Sequence, residues 1–123
     1  MRKIFGHRGL PQIYIENTIK SLNKALEICD FVETDIRITK DEQLIFYHDP
    51  TIENKKIEEL TLSEIKTFID IDISEIHFVS RDQIKGRANF ELKVNNDENE
   101  LNKIFINKVT NLTKQDDIIS SFD

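Results

Sequence analysis

Seven side chains in this sequence have types and spacings that can do chemistry: His7, Arg8, Glu33, Asp35, His48, Glu91 and Lys93. Along a strand, side chains alternate between faces with period 2. Within Phe31–Pro50 (FVETDIRITKDEQLIFYHDP), Glu33 and Asp35 therefore point the same way, with Phe31 and Arg37. Val32, Thr34, Ile36 and Ile38 point the other way and make a β-branched, apolar back. Two acids on an otherwise buried face are costly unless a cation or hydrogen-bond donors compensate them. The stretch from Ala88 to Val94 (ANFELKV) repeats the arrangement, with Asn89, Glu91 and Lys93 on one face and Phe90, Leu92 and Val94 behind. Three carboxylates pointing together in a partly dry cavity repel one another. A hard divalent cation relieves that repulsion, and an all-oxygen donor set suits calcium or magnesium rather than zinc. Arg8 and Lys93 would then face a substrate, since Arg makes forked contacts to phosphate and Lys acts as a point charge. His7 and His48, with free-solution pKa values of about 6.5, can serve as an acid–base pair at neutral pH. A metal, two cations and an acid–base pair are what in-line attack at phosphorus requires.

The elements that must position these residues alternate along the chain. Lys3–His7 reads as a short strand, so His7 and Arg8 fall on a strand-to-helix loop. Asn17 is expected to cap a helix on which Ile19, Leu22, Leu26 and Cys29 recur at helical spacing, ending at about Cys29. The strand from Phe31 is followed by a polar turn, Lys40 to Gln43, and by a second strand, Leu44 to Tyr47, which ends in His48-Asp49-Pro50. Thr51 to Glu59 reads as a polar, solvated loop. Thr61 and Glu64 make a capping box for a helix whose apolar face is Leu62, Ile65, Phe68 and Ile69. Residues 70–87 read as extended or irregular structure ending in a Lys85-Gly86-Arg87 turn. The strand from Ala88, a helix marked by Leu101, Ile104, Phe105 and Val109, and a last strand from Asp117 to Phe122 complete the order β-α-β-β-α-β-α-β. This alternation predicts an α/β architecture with mainly parallel strands. The chemistry-bearing residues collect near the C-terminal ends of those strands, where such folds place their sites.

Composition sets the class. The chain has 123 residues, 38% hydrophobic and 33% charged, enough for one domain with a real core. No apolar run reaches the length of a membrane span, and the N-terminus lacks a leader pattern, so a cytoplasmic location is expected. The single Cys29 excludes an internal disulfide, and together with His77 it is read as structural. A net charge of −6 argues against nucleic acid as the main partner, without excluding an anionic small substrate.

In these motifs the chain resembles the glycerophosphodiester phosphodiesterases. The matching residues are His7-Arg8-Gly9, Glu16-Asn17-Thr18, Glu33-Thr-Asp35, Thr39-Lys40-Asp41, His48-Asp49-Pro50-Thr51, Leu60-Thr61-Leu62, Glu91-Leu92-Lys93 and Ser120-Ser121-Phe122, in that order. The resemblance implies a (β/α)8 TIM-barrel type of fold and hydrolysis of glycerophosphodiesters to glycerol 3-phosphate and an alcohol. It implies Glu33, Asp35 and Glu91 as metal ligands, His7 and His48 as general base and acid in unassigned order, and Arg8 and Lys93 as phosphate contacts. It also implies attack by a hydroxyl of the substrate's own glycerol, giving a cyclic phosphate that water then opens. A barrel of eight units needs about 200 residues, and five strands are read here. Residues 1–123 are thus expected to be the N-terminal part of such a domain, with either a missing C-terminal half or self-association covering its open edge. Two other readings stand beside it: a non-catalytic module that binds metal and phosphate, and a phospholipase D-like lipid phosphodiesterase.

Overall fold

The computed structural model describes residues 5–7, 17–94, 99–114 and 116–122. The elements are β1 (Phe5–His7), α1 (Ile19–Ala25), β2 (Phe31–Ile38), β3 (Leu44–Phe46), β4 (Thr51–Ile52), β5 (Lys55–Lys56), α2 (Leu62–Phe68), β6 (Arg87–Lys93), α3 (Asn99–Leu112) and β7 (Ile118–Phe122). The main sheet runs β1-β2-β6-β7, all parallel, and β3 pairs antiparallel with the far end of β2. The alternation read from the sequence is therefore present, with the antiparallel β3 as the return arm of a hairpin.

One side of the sheet carries the core. Val32 and Ile36 of β2, Phe90 and Leu92 of β6, Leu22 and Ala25 of α1, and Phe105 and Val109 of α3 are all buried together. Phe46, Phe78 and Phe90 form a stacked row through this cluster, with centroids 4.9 and 5.5 Å apart. A second cluster, Ile45, Ile52, Ile57, Leu60, Ile65 and Ile76, lies under the β4–β5 hairpin and α2. Because β3 alternates, Ile45 enters this second cluster while Leu44 and Phe46 enter the first.

Several local expectations change. The α1 cap is Thr18, whose hydroxyl accepts from the Ser21 N–H, not Asn17. The helix ends at Ala25 rather than near Cys29, because the amides of Glu27 and Ile28 reach back only three residues, to Lys24 and Ala25. The polar loop Thr51–Glu59 contains a two-residue hairpin and a 3-10 turn, Ile57–Glu59. Its central residues Glu53 and Asn54 both have positive φ, 50° and 64°, as the twist of a tight hairpin demands. Glu at the first of these positions is not a turn signature, which hides the hairpin from sequence. The Thr61–Glu64 capping box is present on α2. Residues 70–87 are irregular as expected. Within them Phe78 donates its N–H to Leu44 and Ile76 accepts from Phe46, so the segment lines the free side of β3.

At the start of β6, Arg81 is buried and holds Asp117, Nε to Oδ2 at 2.7 Å and Nη2 to Oδ1 at 2.8 Å. Its remaining donors reach the carbonyls of Ile84 and Gly86. Burial alone would raise the Asp117 carboxyl; the hydrogen bonds from Arg81 and the Lys114 N–H outweigh it and hold the group below the usual carboxylate range. A depressed acid contributes stability above its unfolded pKa and loses it as pH falls through the folded value. Asp117→Asn is expected to lower the urea midpoint at pH 7 and to flatten its decline below about pH 4. Parallel pH profiles for the two proteins would show that the pair contributes nothing.

Candidate functional site

The parallel register of β2 and β6 sets the site. Glu33 stands opposite Asn89, and Asp35 opposite Glu91. On the outer edge of β6, Glu91 stands opposite Ser120 of β7. Cross-strand partners lie on one face, so Asp35, Glu91 and Ser120 form one rung and Glu33 and Asn89 the next. Arg37 lies two residues past Asp35, and Lys93 two past Glu91, towards the C-terminal end. All these side chains are on the face opposite the phenylalanine row.

Asp35 is 1% exposed. Its carboxyl lies beside that of Glu91, and this contact, then burial, pushes Glu91 above the usual carboxylate range, against the pull of Lys93. Lys93 Nζ lies 3.1 Å from Glu91 Oε1 and 3.7 Å from Asp35 Oδ1. Two acids thus share one ammonium in a half-buried place.

Asn17 holds the other side of Asp35. Its Nδ2 donates to Asp35 Oδ2 at 3.0 Å, and its Oδ1 accepts from the Asp35 N–H at 3.1 Å and the Thr34 hydroxyl at 2.8 Å. The Asp35 carbonyl accepts from the Tyr47 N–H at 3.0 Å. Asn17 therefore fills the backbone rung of β2 left between the ends of β1 and β3.

His48 follows β3 and lines a cleft of about 170 Å3 with Asn17, Tyr47, Asp49, Phe46, Ile71 and Ile76. Its Nδ1 is 3.0 Å from Asp49 Oδ1. Arg37 donates to the His48 carbonyl from Nε at 3.1 Å and Nη2 at 2.5 Å. Burial draws the Arg37 guanidinium below its ordinary pKa, opposed by the charges of Glu58, Asp35, Asp49 and Glu91. A larger hollow of about 760 Å3 lies at the opposite end of the sheet, lined by Arg81, Lys85, Arg87, Lys114 and Asp117 among others.

Of the seven expected residues, the structure brings together Asp35, Glu91 and Lys93. Glu33 lies one rung away on the same face, and among the described residues no three His, Cys, Asp or Glu side chains gather closely enough to hold a metal ion. The His7 backbone pairs in register with Glu33; its side chain and all of Arg8 lie outside the described residues. The donor set nevertheless suits a hard cation. Two acids are pressed together where positive charge is required, and the buried Asn89 Oδ1, on the same face, has no hydrogen-bond partner. Asn17 and Arg37 are neighbours of Asp35 and His48 to which sequence reasoning gave no site role. Helix-cap chemistry explained Asn17 away, while Arg37 was visible only as a face-mate of Asp35.

A parallel sheet with an acidic rung and basic residues at its C-terminal ends is the arrangement in which TIM-barrel folds place their sites. Residues 7–113 match the model of the glycerophosphoryl diester phosphodiesterase family, and the chain belongs to that family. It is similar to the glycerophosphodiester phosphodiesterase of Caldanaerobacter subterraneus, 35% identical over 69 residues that cover 51% of this chain and 28% of that protein. Human lysophospholipase D GDPD1 is 30% identical over 134 aligned positions, covering 94% of this chain and 42% of the human protein. Among solved structures, a glycerophosphodiester phosphodiesterase from Thermotoga maritima matches at TM-score 0.71 and 29% identity, over 100% of this chain and 55% of that one. One from Parabacteroides distasonis matches at 0.75 and 25% identity, over 98% and 56%. The chain thus spans about half the length of these structures and less than half of these curated relatives. Its fold is of (β/α)8 TIM-barrel type, and its sheet is part of such a barrel.

Removing the two guanidinium donors from the His48 carbonyl is expected to loosen the His-Asp-Pro turn. Arg37→Met should cost about 1.5–3 kcal/mol in urea unfolding, the range for hydrogen bonds to a charged group, and should shift and broaden the His48 imidazole proton resonances. An unchanged spectrum would mean that the turn is held by other contacts.

Proposed function

We propose that this chain acts as the metal- and phosphate-binding, N-terminal part of a phosphodiesterase barrel domain, hydrolysing glycerophosphodiesters to glycerol 3-phosphate and an alcohol. The observation that carries this reading is the Asp35–Glu91 rung, two adjacent acids beside one lysine, in a chain whose residues 7–113 match the family. Asp35 and Glu91, with Glu33 from the adjoining rung, would hold a calcium or magnesium ion. When bound, such an ion neutralises charge on the phosphate oxygens. No described helix is long and apolar enough to cross a membrane.

The chain's own residues do the rest. Lys93, and Arg8 beyond the described residues, grip the phosphate. One of His7 and His48 takes the proton from the attacking glycerol hydroxyl as its oxygen bonds to phosphorus. The other gives a proton to the departing alcohol oxygen as its bond to phosphorus breaks. Water then opens the cyclic phosphate, with the two imidazoles exchanging roles. Asp49 beside His48 Nδ1 supports the protonated imidazole and fixes which nitrogen faces the substrate.

Incubated with magnesium or calcium, the protein is expected to release glycerol 3-phosphate from glycerophosphocholine, and chelation should abolish release. His48→Ala should lower turnover by about 10^2–10^4-fold, and Asp35→Asn should raise the cation concentration needed for activity. A folded protein that forms no product at saturating cation, or a His48→Ala variant at full rate, overturns the assignment.

A further inference from the structure

Asn17 stands at an unusual place for an ordinary side chain. It is 2% exposed and has φ 60°, in the left-handed region. Asn visits that region more readily than most residues, yet glycine fits it better. Capping does not explain the asparagine, because Thr18 caps α1. What Asn17 supplies is its amide. The Asp35 N–H can only donate, so the Asn17 oxygen must face it and the NH2 must face the Asp35 carboxylate. The orientation is thus fixed by chemistry, and the Thr34 hydroxyl donates to the same oxygen. One side chain grips both the backbone and the carboxylate of Asp35. It holds Oδ2, while Oδ1 lies on the side of Lys93.

We propose that Asn17 is a positioning residue for divalent-cation binding, fixing the edge of the Asp35 carboxylate that is presented to the ion. This rests on the reading of Asp35 and Glu91 as cation ligands. Asn17 touches neither phosphate nor reacting atoms in this role; it acts through Asp35. No other side chain serves as well. Aspartate has the same shape and tolerates the same φ, but it would set a second carboxylate against Asp35 Oδ2. Glycine would relax the backbone but remove the grip.

The test is calorimetric titration of the whole chain with Mn2+ and Ca2+, without substrate, beside urea unfolding. Asn17→Gly and Asn17→Asp should weaken cation affinity by about 10- to 100-fold, the usual effect of losing a group that orients a metal ligand. Raising the cation concentration should restore turnover of Asn17→Gly, with the KM for glycerophosphocholine at saturating cation unchanged. Thr34→Val, which removes only the hydroxyl donated to the Asn17 oxygen, gives a milder probe if both substitutions prevent folding, and should weaken affinity several-fold. Affinity within twofold of the parent in a folded Asn17→Gly, or in Thr34→Val if that is the variant that folds, overturns the proposal. So does a parent protein that binds neither ion. A parent that binds the ion without hydrolysing the diester refutes only the catalytic reading. A parent that hydrolyses the diester while the variants keep their affinity refutes only the role of Asn17.

Discussion

Two acids placed side by side on one sheet face are the constraint to which the rest of this structure answers. Asp35 and Glu91 meet because β2 and β6 are parallel and in one register. A slip of either strand by one residue would turn its acid towards the phenylalanine row and part the pair. The apolar back therefore does more than stabilise. Phe46, Phe78 and Phe90, with Val32, Ile36 and Leu92, make any other register costly, since it would bury charge and expose rings. Lys93 relieves part of the repulsion from two positions further along the strand. Asn17 takes up the other side of Asp35 from outside the sheet.

The sheet and the acidic rung were legible in the sequence because strand alternation is a local signal. Arg87–Lys93 carries polar residues on one face and apolar residues on the other without a break, Phe31–Ile38 does so apart from Phe31 and Thr34, and both strands are present in the structure. The Thr61–Glu64 capping box is equally local, and it is present. Asn17 was misread for the same reason. Next to a helix start, an asparagine looks like a cap, and only the folded chain shows that Thr18 has taken that role and that the amide reaches a strand beginning fourteen positions later in the sequence. The hairpin of β4 and β5 was invisible because Glu53 and Asn54 accept positive φ without glycine. The irregular segment 70–87 was legible only as irregular. Its purpose, to supply Phe78 to one core and Ile76 to the other while hydrogen-bonding the open side of β3, depends on partners distant in sequence.

His48 and the acidic rung are separate in sequence and joined by Arg37. Its guanidinium leaves β2 two residues beyond Asp35 and ends on the His48 carbonyl. The tie is to backbone, so it fixes where the turn sits while leaving the imidazole to Asp49 and to the cleft. Asn17 lines that same cleft. The rung and the imidazole are thus referred to a common frame, the C-terminal half of β2, and a displacement of that strand moves both.

The two ends of the sheet carry ion pairs of different kinds. At the N-terminal end, Arg81 meets Asp117, one charge for one, and its donors are taken up by two carboxylate oxygens and two carbonyls. Nothing there calls for another ion, although the larger hollow opens beside it. At the C-terminal end, two carboxyls face one ammonium, and the acid nearest the lysine is pushed up rather than down. The first arrangement is electrically closed and depresses its acid, as a structural pair should. The second sets two carboxyls beside Lys93, with the Arg37 guanidinium also in their field, and its acid is raised rather than depressed.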